Sequence, residues 1–177
     1  MKGESMIELI RKRRSIRKFT EQKIEEGKVA LLKETLLRSP TSRNLYPWEF
    51  VVVDDRETIR ALSKAKPHGL GFLEEAALAV VICGDETKSD VWIEDCSIAS
   101  IMLQLTAQSL GLGSCWGQIR LRQYDESKSS EHFVQELLSI PEHIHVESII
   151  GIGYPAENRN PVLESELLTD KIHYNRF

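Results

Sequence analysis

The sequence predicts a layered α/β or α+β fold, and three observations carry that expectation. Short β-branched apolar runs recur at 49–54, 77–83 and 146–153. Helical stretches separate them. One of these stretches, 90–110, is apolar around most of its circumference. Strands that alternate with helices bury the sheet faces under helices, which gives a sandwich of layers. At 177 residues the chain suits a single domain, 1–177, with its own core.

The elements follow in order. Residues 4–14 carry Met6, Ile7, Leu9 and Ile10 on one side and predict a helix. Residues 25–38 predict a second, through Val29, Leu32, Leu36 and Leu37, ended near Pro40. A polar loop, SPTSRNLYP, leads into the strand EFVVVD. Residues 56–66 predict a helix and 77–83, ALAVVIC, a buried strand. The stretch 90–110 is long enough and apolar enough to be buried inside the domain or between subunits, with Gly111 as its C-cap. A strand or strand-like loop at 113–119, a helix at 129–139 and a strand at 146–153 complete the pattern. The tail beyond Pro155 is polar and ends in DKIHYNRF.

Composition narrows the function. Apolar residues are 41% and charged residues 28% of the chain, as in globular proteins. No apolar run reaches the roughly 18 residues of a membrane span. The N-terminus lacks an apolar h-region, so no secretory signal and a cytoplasmic location are expected. Cys83, Cys96 and Cys115 are isolated and odd in number, which fits reduced, buried thiols. The net charge is −4, yet segment 11–18, RKRRSIRK, holds six basic residues and no acid. A local cationic patch on an acidic body suits one anionic group better than a nucleic-acid backbone, which meets a broad basic face.

Several motifs fail. GLGSCW at 111–116 and GLGFLE at 69–74 miss the third glycine of a dinucleotide fingerprint. GIGYPA at 151–156 follows a strand, but Pro155 and ENRNP come next, leaving no helix N-terminus for a pyrophosphate. The chain has no Walker A sequence and no GxSxG elbow. His143 and His145 lack a third metal ligand nearby and read as surface imidazoles.

Three segments remain. Arg13, Arg14, Ser15 and Arg17 stand at the end of the first helix, and arginines three or four apart near a helix end can converge on one anion. The loop Ser39–Trp48 is dense in short side chains that can hydrogen-bond a polar ring edge or a ribityl chain, and Pro40 and Pro47 stiffen it. In Gly111–Gly117 the glycines would let backbone approach a flat ligand.

In this order, RRSIRKF, SPTSRNLYPWEFVVV, GLGSCWG and GIGYP resemble the FMN-dependent nitroreductase family, over nearly the whole chain. The resemblance implies a three-layer α/β/α sandwich of α+β class around a central, mainly antiparallel sheet. It implies an intertwined homodimer with FMN at the interface, the helix 90–110 in the dimer core and the tail around the partner. Arg13, Arg14 and Ser15 match the positions that hold the FMN phosphate and ribityl chain, and Arg159 a basic residue near that phosphate. Arg17 matches the basic residue near N1 and O2 of the isoalloxazine. Pro40, Thr41, Ser42 and Asn44 match the loop lent by the other subunit. Trp116, Gly117 and Gln118 match the segment beside the ring.

The sequence also departs from the pattern. Tyr46 stands where many members have Gln, and Gly69–Phe72 lacks the Asn and Lys that some members place beside the flavin. Insertions that cover the active site in longer members are missing.

The resemblance implies hydride transfer from NAD(P)H through FMN to a nitroaromatic, quinone or similar small acceptor, in ping-pong order. No side chain need act as acid or base, so no catalytic residue is assigned. Alternatives are a flavin reductase, enone reductase or dehalogenase on the same site, and a flavin-binding or sensing protein without turnover. A nucleic-acid module using RKRRSIRK is disfavoured by the acidic remainder.

Overall fold

The computed structural model describes residues 5–177. Its four strands are β1 (Trp48–Val53), β2 (Leu78–Asp85), β3 (Gly113–Gln118) and β4 (Ile144–Gly153). They form one sheet in the order β1-β2-β4-β3, and each pairing is antiparallel. Among the described residues, five α-helices accompany them: α1 (Met6–Lys12), α2 (Glu26–Leu37), α3 (Arg56–Leu62), α4 (Trp92–Ser109) and α5 (Ser130–Leu138).

Alternation along the strands makes the layers. Ala79, Val81 and Cys83 of β2 face one side and pack with α3, α5 and the 3-10 turn Gly71–Glu75, through Ile59, Leu62, Phe72, Leu73 and Val134. Leu78, Val80 and Ile82 face the other side, against Leu32 and Leu36 of α2 and Cys96, Ala99 and Leu103 of α4. Both faces of the sheet are therefore covered by helices, giving the expected three-layer α+β sandwich. A bulge between Ile82 and Cys83 of β2 leaves Glu147 of β4 outside the register, so Val146 and Ile149 share a face.

The element boundaries differ from expectation mainly at one place. The helix expected over 4–14 closes at Lys12, and its position 4 lies outside the described residues. Arg13 is already extended, at φ −60° and ψ 125°. Ser15 then forms a parallel bridge with Ser114 of β3, and Ile16 N–H donates to the Ser114 carbonyl at 3.0 Å. Burial of Ile16 and Phe19 against the sheet outweighs the helical pattern of the basic residues. The helix 90–110 forms as α4, but Ile98 and Ile101 on it stay exposed in the single chain. At its end Gly111 adopts φ 74°, the left-handed conformation of a helix C-cap. All three cysteines are free and buried, and burial pushes the Cys83 thiol up to about 12. Among the described residues, no helix is long and apolar enough to cross a membrane.

Candidate functional site

An extended segment, not a helix end, presents the basic cluster. Alternate residues of extended chain share a face. With Ile16 turned into the core, Arg13, Ser15 and Arg17 line an open cleft of about 970 Å³ together with Arg11, Arg14 and Arg159. The tail supplies the opposite wall through Pro161, Val162, Leu163 and Leu167. The Arg14 guanidinium donates to the Asn160 carbonyl. Glu157 accepts the Arg17 backbone N–H at 2.6 Å and Arg159 Nε at 3.0 Å. The side chains of Arg13 and Arg17 form no ion pair among the described residues. Five guanidinium groups line one cleft and only that of Arg159 is ion-paired among the described residues, an arrangement that suits a phosphate dianion.

The segment expected beside the ring, Trp116–Gln118, lies on β3. Trp116 and Gln118 share the face toward α4, and Trp116 Nε1 donates to Gln118 Oε1 at 3.0 Å. Gly117 faces the opposite layer, where a Cβ would stand 2.3 Å from Leu70 Cδ2. Gly113 is similarly tight, with a Cβ at 2.8 Å from the Ile16 side chain. Both glycines are thus required by packing inside the chain, a role beyond the approach to a ligand expected of them. Lys66 Nζ donates to the Gln118 carbonyl at 2.9 Å. Burial, helped by the Arg122 charge, pulls the Lys66 amine below its ordinary range.

The loop with Pro40, Thr41, Ser42 and Asn44 lies elsewhere. Ser42 N–H donates to Oδ1 of buried Asp95 at 2.9 Å, near the start of α4. The basic cluster sits beside Gly113 and Ser114, just past the end of α4. Asp95 and Ser109 are separated by about 20 Å of helix, at about 1.5 Å per residue. One chain therefore does not bring the two groups together. The loop is strained: Arg43, Asn44 and Tyr46 have φ of 54°, 54° and 49°. Non-glycine residues hold such values only where surrounding structure enforces them, often at binding sites. Thr41 Oγ1 accepts the Tyr46 N–H at 3.1 Å, Arg43 pairs with Asp90, and the Tyr46 ring packs edge-on to Trp48.

Sequence reasoning missed Asp95, Lys66 and Glu157. Asp95 stands next to Glu94 in the first turn of α4 and is distinguished only by its burial, so no local pattern marks any of the three. His145 also differs from expectation. It is not a free surface imidazole, because Nδ1 meets Glu131 at 3.0 Å, Nε2 meets Glu86 at 3.1 Å, and its ring stacks on Trp92. No group of three metal-ligating side chains occurs among the described residues.

Comparison with known proteins matches this arrangement. The family model described as "Nitroreductase family" matches residues 10–68 and 63–154. A solved FMN-dependent nitroreductase from Clostridium difficile R20291 is 44% identical and superposes with a TM-score of 0.95, over 97% of this chain and 99% of that one. A relative from Methanothermobacter thermautotrophicus, provisionally named an NADH dehydrogenase/NAD(P)H nitroreductase, is 34% identical over 176 residues, 97% of this chain and 87% of its own. The NADPH:FMN oxidoreductase of Vibrio harveyi, solved with NAD+, is 26% identical with a TM-score of 0.81, over 97% of this chain and 77% of that one. With the basic segment, the strained loop and the β3 strand all inside these alignments, the chain belongs to the nitroreductase family.

Proposed function

We propose that this protein is an FMN-dependent oxidoreductase that uses NAD(P)H to reduce small acceptors, nitroaromatics and quinones among them, in ping-pong order. The cleft lined by Arg11, Arg13, Arg14, Ser15, Arg17 and Arg159 carries the proposal. Its donors fit a phosphate, and Arg13 and Arg14 with the Ser15 hydroxyl would hold that end of FMN, with Arg159 from the tail side. Trp116, Gly117 and Gln118 would flank the ring, and Arg17 would face its N1 and O2 edge. Pro40, Thr41, Ser42 and Asn44 would reach the site from a second copy, since they lie far from the cleft in their own chain. A homodimer with FMN at the interface follows from that separation.

When bound, FMN would supply the two-electron chemistry that links NAD(P)H to the acceptor. The protein's own groups bind, orient and set the electrostatics; none is assigned as acid or base. FMN reductases from Bacillus subtilis and the iodotyrosine deiodinase of Thermotoga neapolitana are also relatives, so free flavin and halogenated phenols belong in the acceptor panel.

The purified protein should be yellow, with about one FMN per chain, and should prefer FMN to riboflavin because the cleft binds phosphate. Heat-released flavin identified by chromatography decides. FAD, or no flavin even after incubation with FMN, would sink the proposal. Acceptor reduction with either nicotinamide under anaerobic conditions then separates an enzyme from a flavin-binding sensor, whose flavin would react only with oxygen.

A further inference from the structure

Glu157 is an acid beside a cleft whose charged lining is five arginines and Glu164, and it pairs with one of those arginines. On charge alone it opposes a bound phosphate. Its geometry argues the reverse. One carboxylate oxygen takes the backbone N–H of Arg17 at 2.6 Å, and the other takes Nε of Arg159 at 3.0 Å. The side chain is 15% exposed, against 48% for Arg159. The Arg17 N–H, then the Arg159 charge, hold the carboxyl below its ordinary range, so it is ionised at neutral pH although desolvation opposes this.

Two consequences follow. A guanidinium has five N–H donors in a rigid fork, and a carboxylate on Nε leaves the terminal nitrogens free to face the cleft that Arg159 lines. Arg17 is fixed through its backbone, and neighbouring bonds extend the clamp: Thr20 N–H to the Tyr154 carbonyl at 2.9 Å and Ala156 N–H to the Lys18 carbonyl at 2.9 Å. Side-chain ordering lost on binding weakens affinity, so arginines already held need less ordering.

We infer that Glu157 is a positioning residue for the cofactor site: it aims Arg159 at the phosphate end of the cleft and holds the backbone at Arg17. The inference rests on the FMN reading of the site. It has a signed test, because pre-organisation and bare charge repulsion predict opposite changes in affinity.

Flavin-depleted full-length protein is titrated with FMN and with riboflavin, following flavin fluorescence, for wild type, Glu157→Ala, Glu157→Gln, Arg159→Met and Glu157→Gln/Arg159→Met. Glu157→Ala should weaken FMN about tenfold, the scale of one charged hydrogen bond, and riboflavin, which meets Arg17 but not Arg159, by clearly less. Glu157→Gln retains an oxygen for the Arg17 N–H and gives up the pairing with Arg159, so its loss should be intermediate. Added to Arg159→Met it should cost less than about twofold more, because the group it aims is gone. Tighter FMN binding in either Glu157 variant would overturn the inference in favour of repulsion. Equal loss of FMN and riboflavin, or full additivity with Arg159→Met, would overturn it in favour of a purely structural role. Glu157→Gln, close in shape to the original, keeps the test available if the alanine variant does not fold. Wild-type protein that binds FMN no better than riboflavin would overturn the phosphate reading itself, a result distinct from any of these.

Discussion

Arg13 and Arg17 line the same cleft, yet they should respond differently to a change of redox state. A phosphate keeps its charge when the flavin is reduced, whereas the reduced ring at neutral pH carries negative charge over N1 and O2. A guanidinium at that edge stabilises reduced FMN more than oxidised FMN. A charged hydrogen bond contributes roughly 1.5–3 kcal/mol, and about 30 mV corresponds to about 1.4 kcal/mol for a two-electron couple. Arg17→Met should therefore lower the midpoint potential by roughly 30–60 mV and slow hydride uptake from NAD(P)H. Arg13→Met should instead weaken FMN binding with little change of potential. Redox titration of both variants checks this assignment. An unchanged potential in Arg17→Met would remove Arg17 from the ring edge and leave it a second phosphate ligand.

At the scale of elements, the packing of the basic segment on β3 is what aims the arginines. Gly113 makes that packing possible: a Cβ there would lie 2.8 to 3.0 Å from three atoms of Ile16. Ile16 is buried and its N–H is tied to Ser114, so it has little room to yield. Gly113→Ala should cost about 1–3 kcal/mol, the usual cost of overpacking. It should also displace Arg13–Arg17 and weaken FMN binding more than riboflavin binding. Denaturant unfolding with flavin titration measures both; an alanine variant with wild-type stability and FMN affinity would show that the segment adapts freely. The same junction marks the limit of what sequence patterns convey. The β-branched runs and the apolar helix 90–110 are legible because burial imposes period and composition on them. The basic segment follows the helical register of its predecessor in sequence. Its extended path is decided by pairing with Ser114, a residue almost a hundred positions away, which no local pattern encodes. The residues of the cleft were legible as types, through their arginines and their order along the chain. Glu157 was not, because one acid in the polar run ENRNP looks like any solvated residue until its two donors are placed.

At the scale of the molecule, the single chain is left with apolar surface of two kinds. Ile98 and Ile101 on α4, with Leu31 and Leu37 on α2, face outward from packed helices. Every residue from Asn158 to Phe177 is exposed, including Leu167, Leu168, Ile172, Tyr174 and Phe177. A segment with that many apolar side chains gains nothing from lying in water, and covering it supplies roughly 25 cal/mol for each Å² of apolar surface buried. A second copy would cover it and would also carry the strained loop 40–44 to the cleft, about 20 Å of helix away in its own chain. Association and cofactor binding should therefore be linked, each favouring the other. Deleting the chain from Leu167 onward tests that link. Helices and sheet should survive, because the deleted residues are exposed and contribute little to the core. Light scattering should then show a shift from dimer toward monomer, and FMN should be lost from the same population. Adding excess FMN should restore part of the dimer, since a ligand bound at the interface stabilises the assembled state. A truncated protein that becomes monomeric yet holds FMN as tightly as the full chain would refute the shared site, and would place the whole flavin site within one chain.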